Sequence, residues 1–331
     1  MDRLEIIKKL GEGGNSRAFL ARDNSTGRLV TYKRSKIYSG ENVDAFVHEA
    51  SVLKCFGTKK YMNLIRKKRI PKLVCFGRTF IVVSFIPGEN LLDLLRKRGK
   101  LREKEVLKIA RDLLTILRIL HEGEKPIVYR DLKPANIVIN EEGRASLIDF
   151  GAARFYRKDK QADDTVSLGT VGFAAPEQYG CLGQSNEQTD IYSFGMTLTA
   201  LLTGVNTKDS EGLSMVRCGG LKDVSPQLLS VIEKCIKADR DKRFKTFEDV
   251  EKEIKKVPLR IFLCRLGRAA KLAAAALFIS AIITMGIKYG DSAVKLIKND
   301  FEDRYPVIQY RLLIARQRIT DFAGTFIIQE N

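Results

Sequence analysis

A chain of 331 residues with 44% hydrophobic residues is long enough for one large two-lobed domain and a further tail. Six cysteines occur without a Cys-x-x-Cys pair, which argues against a zinc site and favours a reducing compartment. The net charge of +18 suits a membrane surface or a nucleic acid. No nucleic-acid motif accompanies this charge, so we predict no nucleic-acid partner.

The N-terminal region begins with a glycine-rich segment between two runs that are typical of strands. Gly11, Gly13 and Gly14 lie within the stretch from Leu10 to Ala18. Glycines in such a loop let backbone N–H groups approach phosphate oxygens closely. The next strand-like run, Val30 to Lys33, ends in a lysine.

A helix is predicted from Asn42 to Lys54, because apolar residues recur near a period of 3.6. These residues are Val43, Phe46, Val47, Ala50 and Leu53. Glu49 also lies on this helix. Two β-strands should follow, Ile70 to Gly77 and Arg78 to Ile86, joined by a tight turn. The pattern then ends at Pro87-Gly88.

Two short motifs carry the strongest chemical signal. The first is Tyr129-Arg130-Asp131-Leu132-Lys133-Pro134-Ala135-Asn136, which places an Asp, a Lys and an Asn in one loop. The second is Asp149-Phe150-Gly151, and its Asp comes 13 residues after Asn136. Asn136 and Asp149 would supply the oxygen ligands that Mg²⁺ prefers.

The region after the second motif is polar and ends at Ala175-Pro176-Glu177. It contains the hydroxyl side chains of Thr165, Ser167 and Thr170. Two further residues are candidates for a scaffold role. They are Asp190 in Thr189-Asp190-Ile191 and Arg243 in Asp241-Lys242-Arg243-Phe244.

In this order and spacing, the motifs resemble those of the bacterial eukaryotic-like (Hanks-type) serine/threonine protein kinases. The resemblance covers about residues 1–256. It implies a bilobal α+β fold, with an antiparallel sheet and helix C in an N-lobe over 1–86. A mainly helical C-lobe would cover 87–256. The implied activity is transfer of the ATP γ-phosphoryl group to Ser or Thr hydroxyls of proteins, with Mg²⁺ or Mn²⁺ as the metal.

The resemblance assigns roles to single residues. Asp131 would accept or orient the proton of the attacking hydroxyl, and Lys133 would offset charge on the phosphoryl group. Asn136 and Asp149 would bind the metal. The nucleotide would be bound by Gly11, Glu12, Gly13, Gly14, Asn15, Ser16, Lys33, Glu49, Ser84 and Ile86.

Several contacts between distant residues are implied as well. Lys33 would pair with Glu49. We expect this pair to be exposed, so it would be an activity switch more than a source of stability. Asp190 would anchor the catalytic loop from a buried helix, and Arg243 would pair with Glu177. The backbone around Ser84, Phe85 and Ile86 would form the hinge that binds adenine, with Val83 as gatekeeper.

The sequence departs from the family pattern at three positions. Ser16 stands where a third glycine is usual, Ala18 where Val is usual, and Tyr129 where His is common. A Tyr can fill the apolar slot beneath Phe150 if its hydroxyl finds a partner. His48 lies outside every motif and is expected on the helix surface.

Two other functional classes are open. A pseudokinase scaffold would bind nucleotide without turnover, but five polar residues argue against it: Lys33, Glu49, Asp131, Asn136 and Asp149. A small-molecule phosphotransferase would lack the Ala-Pro-Glu segment and Thr170, which shape a peptide-binding site. Lys133 and Thr170 distinguish the chain from tyrosine kinases.

Regulation by phosphorylation is expected in the segment after the second motif. Arg130 precedes Asp131, as in kinases whose activation segment is ordered by a phosphate that pairs with Arg. Thr165 and Ser167 are our candidate phosphosites. Thr170 is placed like the Thr that contacts the catalytic Asp and Lys. A homodimer would allow autophosphorylation between two copies.

The tail carries sixteen residues without a charge, Leu272 to Ile287. A spanning helix needs roughly 20 apolar residues, with a range near 17–25. With Ala269, Ala270 and snorkelling lysines the segment reaches that range, so we predict a single transmembrane helix over 272–287. A buried helix of the C-lobe and a helix lying in the membrane interface are the alternatives.

Charge predicts the orientation of that helix. Residues 257–271 form a basic juxtamembrane segment, which places the kinase domain in the cytoplasm as a single-pass protein of the cell membrane. Residues 288–331 would be a short extracytoplasmic tail. The basic run from Lys59 to Lys72 is expected to be a solvated insert, with attraction to anionic lipid headgroups as the alternative.

Overall fold

The computed structural model describes residues 3–13, 16–36, 41–156, 170–179, 184–204, 221 and 223–304. At 41–45, 264–265, 268, 283 and 285–304 this description covers the main chain only. The predicted phosphosites Thr165 and Ser167 lie outside these residues, as do Gly14 and Asn15 of the glycine-rich segment.

The N-terminal part is a five-stranded antiparallel sheet with a helix packed against it. Its elements are β1 (Leu4–Glu12), β2 (Ser16–Asp23), β3 (Arg28–Ser35), α1 (Glu41–Cys55), α2 (Met62–Arg66), β4 (Leu73–Gly77) and β5 (Phe80–Ser84). The strands lie in the order β1-β2-β3-β5-β4. β3 is therefore central, and the register of β3 with β5 pairs Lys33 with Ile81.

The sequence forms these hairpins through local turn chemistry. Between β2 and β3, the carboxylate of Asp23 accepts a hydrogen bond from the Ser25 amide at 3.0 Å. Gly27 then adopts a φ of 66°, which glycine takes without a steric penalty. Asp23 and Gly27 thus set the turn that aligns β3.

The predicted helix and the two predicted strands after it are present, but their first or last residues differ from those predicted. Phe46, Ala50 and Leu53 are buried, as their spacing predicts, but Val47 is 44% exposed and does not join the core. β4 and β5 are shorter than predicted, because the turn at Arg78-Thr79 and the loop after Ser84 take up the ends.

The C-terminal part is mainly helical. Its elements are β6 (Glu89–Asn90), α3 (Leu91–Arg98), α4 (Glu103–His121), β7 (Ile127–Val128), β8 (Ile137–Ile139), β9 (Ala145–Leu147), β10 (Arg154–Phe155), α5 (Glu187–Thr203), α6 (Pro226–Cys235) and α7 (Phe247–Arg304). α5 is buried along most of its length, because α4 and α6 both pack on it. The predicted bilobal α+β architecture is therefore confirmed.

Side-chain caps fix where these helices begin. Asn90 accepts a hydrogen bond from the Leu92 amide at 2.9 Å at the start of α3. Ser225 accepts one from the Leu228 amide at 3.3 Å at the start of α6, where Pro226 occupies the first turn. Such caps satisfy N–H groups that have no partner within the helix.

The predicted membrane segment lies inside α7, which also contains the basic residues before it. The chain divides into two compact units, Met1–Ile261 and Phe262–Asn331. Across the described residues, we find no helix with an apolar stretch sufficient to cross a lipid bilayer. The transmembrane helix and the segment limits within the tail remain predictions.

Candidate active site

Lys33 lies between two carboxylates from different elements. Its Nζ donates to Glu49 Oε2 at 2.9 Å and to Asp149 Oδ1 at 3.0 Å. β3 positions the lysine and α1 positions Glu49. The Lys33 side chain is 19% exposed and that of Glu49 is 7% exposed, so the expectation of an exposed pair is wrong. The reason is that α1 packs against β4 and β5, which covers the pair.

Burial and charge act in opposite directions on this cluster. Burial lowers the pKa of Lys33, but the Asp149 and Glu49 carboxylates outweigh it and raise that pKa overall. Burial raises the pKa of Glu49, and Lys33 offsets only part of that effect. Burial also opposes ionisation of Asp149, yet the Lys33 charge and the Gly151 amide lower its pKa. The cluster therefore holds a charged lysine beside an ionised Asp149.

The loop between β7 and β8 forms a second cluster around Asp131. Thr170 Oγ1 donates to Asp131 Oδ1 at 2.7 Å, and Lys133 Nζ lies 2.8 Å from Asp131 Oδ2. Lys133 also donates to Thr170 Oγ1 at 2.5 Å. Asn136 Nδ2 donates to the Asp131 carbonyl at 2.8 Å and to its Oδ2 at 2.9 Å. The expected contact of Thr170 with Asp131 and Lys133 is confirmed.

The oxygen atoms near these clusters suit a divalent cation. The amide nitrogen of Asn136 is used by Asp131, so its Oδ1 is the atom that would serve a metal. Asp149 uses Oδ1 for Lys33 and for the Gly151 amide, and its side chain is 40% exposed. Amide and carboxylate oxygens are the ligands that Mg²⁺ prefers, so Asn136 and Asp149 fit the ion.

Asp190 holds the catalytic loop in place from within α5. Its two carboxylate oxygens accept hydrogen bonds from the amides of Tyr129 and Arg130, each at 2.7 Å. This bonding fixes the chain as it enters Asp131, where Arg130 adopts a φ of 70°. His121 Nε2 lies 2.7 Å from Asp190 Oδ2 and so joins the same buried group.

Phe150 is buried in an aromatic stack. Its ring meets Tyr129 edge-on at 5.2 Å and Phe56 edge-on at 4.8 Å, which are favourable aromatic arrangements. The expected packing of Tyr129 against Phe150 is confirmed. The Tyr129 hydroxyl, however, is buried without a hydrogen-bond partner among the described residues. Burial raises the pKa of this phenol well above its ordinary value.

The glycine-rich segment is a β-hairpin made by β1 and β2. The Gly13 amide donates to the Ser16 carbonyl at 2.9 Å, which closes the hairpin. A Cβ added at Gly11 or Gly13 would meet nothing within 4 Å, so there is open space at both positions. Glu12 pairs with Lys36 at 2.5 Å and also with Lys9, and these hydrogen bonds lower its pKa to about 2.

The predicted hinge follows β5 directly. The Ser84 amide donates to the Lys72 carbonyl at 2.8 Å, and Ser84 Oγ accepts from the Lys72 amide at 2.9 Å. The Phe85 amide donates to the Leu29 carbonyl at 3.4 Å. Val83 and Ile86 are both buried. Two hydrogen bonds thus hold Ser84 to Lys72, the residue directly before β4.

The second long-range pair is formed by Arg243 and Glu177. Arg243 Nη1 and Nη2 donate to the two Glu177 oxygens at 2.8 and 2.9 Å, and Thr189 Oγ1 donates to Glu177 at 3.0 Å. Arg243 also lies 4.9 Å from the centre of the Tyr192 ring. The predicted pairing is confirmed, and it fastens the end of the activation segment to the C-lobe.

Two polar contacts were not expected from the sequence. His48 is half-buried rather than on the helix surface, and its Nε2 lies 2.8 Å from the Ala153 carbonyl. Burial lowers its pKa. Arg69 of the basic run donates to Asp112 Oδ1 at 2.7 Å, so it is part of the scaffold and not of a solvated insert. No local spacing relates these partners, which lie 105 and 43 residues apart.

A sheet-rich lobe joined to a helical lobe, with these charged clusters between the strands and the catalytic loop, defines a phosphotransferase of the protein-kinase type. The chain matches the protein kinase domain over residues 4–254. It belongs to the protein kinase family, whose members use ATP and a divalent metal.

Among curated proteins, the chain is similar to two cyanobacterial kinases. It is 29% identical to serine/threonine-protein kinase PknA of Nostoc over 75% of this chain and 46% of that protein. It is 29% identical to serine/threonine-protein kinase C of Synechocystis over 73% of this chain and 48% of that protein. The chain thus spans about half the length of these relatives.

Plant relatives share a shorter region. Wall-associated receptor kinase-like 10 of Arabidopsis thaliana is 32% identical over 61% of this chain and 26% of that protein.

Proposed function

We propose that this chain is a serine/threonine protein kinase that transfers the ATP γ-phosphoryl group to Ser or Thr hydroxyls of proteins. The observation that carries the proposal is the bridge made by Lys33 between Glu49 and Asp149. A partly buried lysine kept charged beside an ionised carboxylate is the arrangement that binds nucleotide phosphates and a metal ion together. Both cyanobacterial relatives are named as serine/threonine-protein kinases, and the similarity of this chain to them supports the same activity.

The residues of the second cluster would position the attacking hydroxyl. Asn136 and Thr170 hold the Asp131 carboxylate by hydrogen bonds, so this carboxylate has a fixed direction before substrate arrives. Asp131 would orient the hydroxyl and receive its proton. Lys133, close to Asp131, would offset negative charge on the phosphoryl oxygens. Asn136 and Asp149 would hold Mg²⁺, which would supply positive charge to offset that of the phosphate oxygens.

The hydrogen bond between Lys133 and Thr170 lies next to Asp131. These two residue types are typical of kinases that act on Ser or Thr, so the contact supports a Ser or Thr substrate. The acceptor class is a protein segment, and other copies of this chain are the first candidates. Autophosphorylation of Thr165, Ser167 or Thr170 between two copies is therefore part of the proposal.

An Asp131→Asn variant tests the proposal, because it is isosteric and leaves the nucleotide cluster intact. We expect phosphate transfer to a generic protein substrate to fall by a factor of about 10² or more, the usual scale of a positioned base. ATP binding, measured by calorimetry, should change little. A variant that keeps full transfer would refute the role of Asp131. An unchanged chain that binds ATP without transfer would identify a pseudokinase.

We also propose that the apolar part of α7 attaches the kinase to a membrane. Leu272, Leu277, Phe278, Ile279 and Ile282 are 51–72% exposed on that helix. A run of exposed apolar side chains of this size is characteristic of a lipid or protein contact. Basic residues precede this run, which suits the anionic cytoplasmic leaflet.

A Leu277→Glu/Phe278→Glu variant tests attachment in the full chain. We expect it to lose co-flotation with lipid vesicles. The control, Leu29→Glu/Val74→Glu, changes two exposed apolar side chains of the N-lobe and should float as the unchanged chain does. Equal flotation of the unchanged chain and the Leu277/Phe278 variant would contradict the proposal.

A further inference from the structure

The stretch between Glu49 and Glu89 is unusual in charge. It contains nine basic residues and no acidic residue. The basic residues are Lys54, Lys59, Lys60, Arg66, Lys67, Lys68, Arg69, Lys72 and Arg78. This charge is concentrated around α2, between helix α1 and strand β4.

Five of these basic residues flank or end α2 and together are called the basic face: Lys59, Lys60, Arg66, Lys67 and Lys68. All five are exposed. α2 contains five residues and is therefore only about 8 Å long, so the main chain at these residues lies close together. Within the described part of the chain, none of them forms an ion pair, whereas their neighbour Arg69 is bonded to Asp112. Most of this charge is therefore not neutralised by ion pairs among the described residues.

Lys68 occupies a strained position on this face. The Lys68 amide donates to Ile65 O at 2.9 Å and the Arg69 amide to Leu64 O at 2.7 Å, the two bonds of a Schellman helix end. Lys68 has a φ of 53°, in the left-handed region where glycine is normally found. A lysine here keeps a charge at a conformational cost, which points to a use for that charge.

The basic face lies on the same side of the kinase domain as the start of α7. Lys60 Nζ donates to the Glu122 carbonyl at the end of α4 at 2.5 Å. Arg118 pairs with Glu122 at 3.3 Å and with Glu251, in α7, at 3.7 Å. These contacts connect the basic face to the part of α7 that leads into the apolar run.

A short stretch of chain joins the kinase domain to the apolar run. From Ile261 to Leu272 there are eleven residues, which span at most about 40 Å when fully extended. A membrane that held the apolar run would therefore be no farther than this distance from Ile261.

We propose that the basic face binds anionic lipid headgroups and so sets how the kinase domain sits on a membrane. This proposal rests on the membrane attachment proposed above and not on phosphate transfer. Single-stranded nucleic acid is the less favoured partner, because sequence-tolerant binding of single strands relies on aromatic side chains that stack on bases. Tyr61 and Phe56, the aromatic residues beside the face, are buried.

The test compares two variants that each remove three exposed charges from the full chain. The face variant is Lys59→Gln/Arg66→Gln/Lys67→Gln. The control variant is Lys8→Gln/Arg28→Gln/Lys104→Gln. Lys8 lies in β1, at the sheet edge opposite β4, and Lys104 lies at the far end of α4 from Glu122. All six side chains are exposed.

Flotation with two vesicle types provides the readout. One type is phosphatidylcholine alone, and the other contains about 30 mol % phosphatidylserine. We expect the face variant to bind the anionic vesicles about a hundredfold more weakly, since each charge near the surface contributes roughly a fivefold change. The control variant should lose much less. High salt should remove the difference, because it screens exposed charges.

Other outcomes would contradict the basic face, the membrane attachment or the choice of lipid as the partner. Equal loss in the face and control variants would refute the basic face. Failure of the unchanged chain to bind either vesicle would refute the face and the membrane attachment together. Loss of binding to a DNA duplex in the face variant, with unchanged flotation, would replace lipid by nucleic acid. Phosphate transfer by each variant reports separately on the kinase proposal.

Discussion

Arg243 is bonded through every N–H that a guanidinium carries, and this makes it the most informative residue to change. Besides the two bonds to Glu177, Nε donates to the Lys237 carbonyl at 2.7 Å. Nη1 donates to the Gln188 carbonyl and Nη2 to the Ala238 carbonyl, both at 3.0 Å. The side chain is fully buried. A lysine has three donors, so Arg243→Lys must lose at least two of these five bonds.

The expected loss of stability follows from these lost hydrogen bonds. Each buried acceptor that loses its donor destabilises the fold by about 1–3 kcal/mol, so we expect Arg243→Lys to lower the unfolding free energy by roughly 2–5 kcal/mol. Arg243→Met leaves Glu177 as an uncompensated buried charge, with an expected loss of roughly 3–5 kcal/mol. Urea unfolding followed by circular dichroism measures both losses. Lys245→Met, which removes an exposed pair with Asp241, is the control and should leave the midpoint unchanged.

The pH dependence provides an independent check. Burial opposes ionisation of Glu177, but Arg243 outweighs it and lowers the pKa of this carboxyl. The pair therefore contributes its full stability above the unfolded pKa of glutamate, near 4.3, and loses it as the pH falls further. The difference between the unchanged chain and Arg243→Met should shrink in that acidic range. An Arg243→Lys chain with an unchanged urea midpoint would refute the reasoning.

Three further substitutions have expected outcomes of different sign. Lys68→Gly should raise the unfolding free energy by about 0.5–1 kcal/mol, because it relieves the left-handed backbone; a loss of stability in urea would contradict this. Tyr129→Phe should be neutral or stabilising by about 1 kcal/mol, since it removes a buried hydroxyl without a partner. A drop in melting temperature would show that the hydroxyl is bonded. His48 has a lowered pKa, so the folded chain loses stability as the pH falls below the unfolded value near 6.5. His48→Gln should flatten the stability profile between about pH 7.5 and 5, and an unchanged slope would exclude His48 as its source.

The cluster around Asp131 was predictable because most of its chemistry is local. Asp131, Lys133 and Asn136 occupy one loop, so their spacing alone brings them together. The pairing of Lys33 with Glu49 required the resemblance to a known family, because no local pattern relates a strand to a helix. Its burial was not predictable, since it depends on how α1 packs on β4 and β5.

Other features of the site depend on tertiary contacts that leave no pattern in the sequence. His48 contacts Ala153 only because α1 lies beside the chain that follows Gly151. His121 reaches Asp190 because α4 and α5 are packed together. Val47 fits the helical period of the apolar residues and is still exposed. Periodicity predicts which side of a helix faces the core, but not how much of that side is covered by neighbouring elements.

Mass spectrometry of the full chain after incubation with Mg²⁺ and ATP tests the central claim most directly. The comparison is an Asp149→Asn variant, which keeps the shape of the side chain but removes the charge beside Lys33. The account predicts phosphate on Ser or Thr residues in the unchanged chain and none in the variant. Equal phosphorylation of both chains would contradict it. An unchanged chain that binds ATP, remains unmodified and fails on protein substrates would contradict it equally.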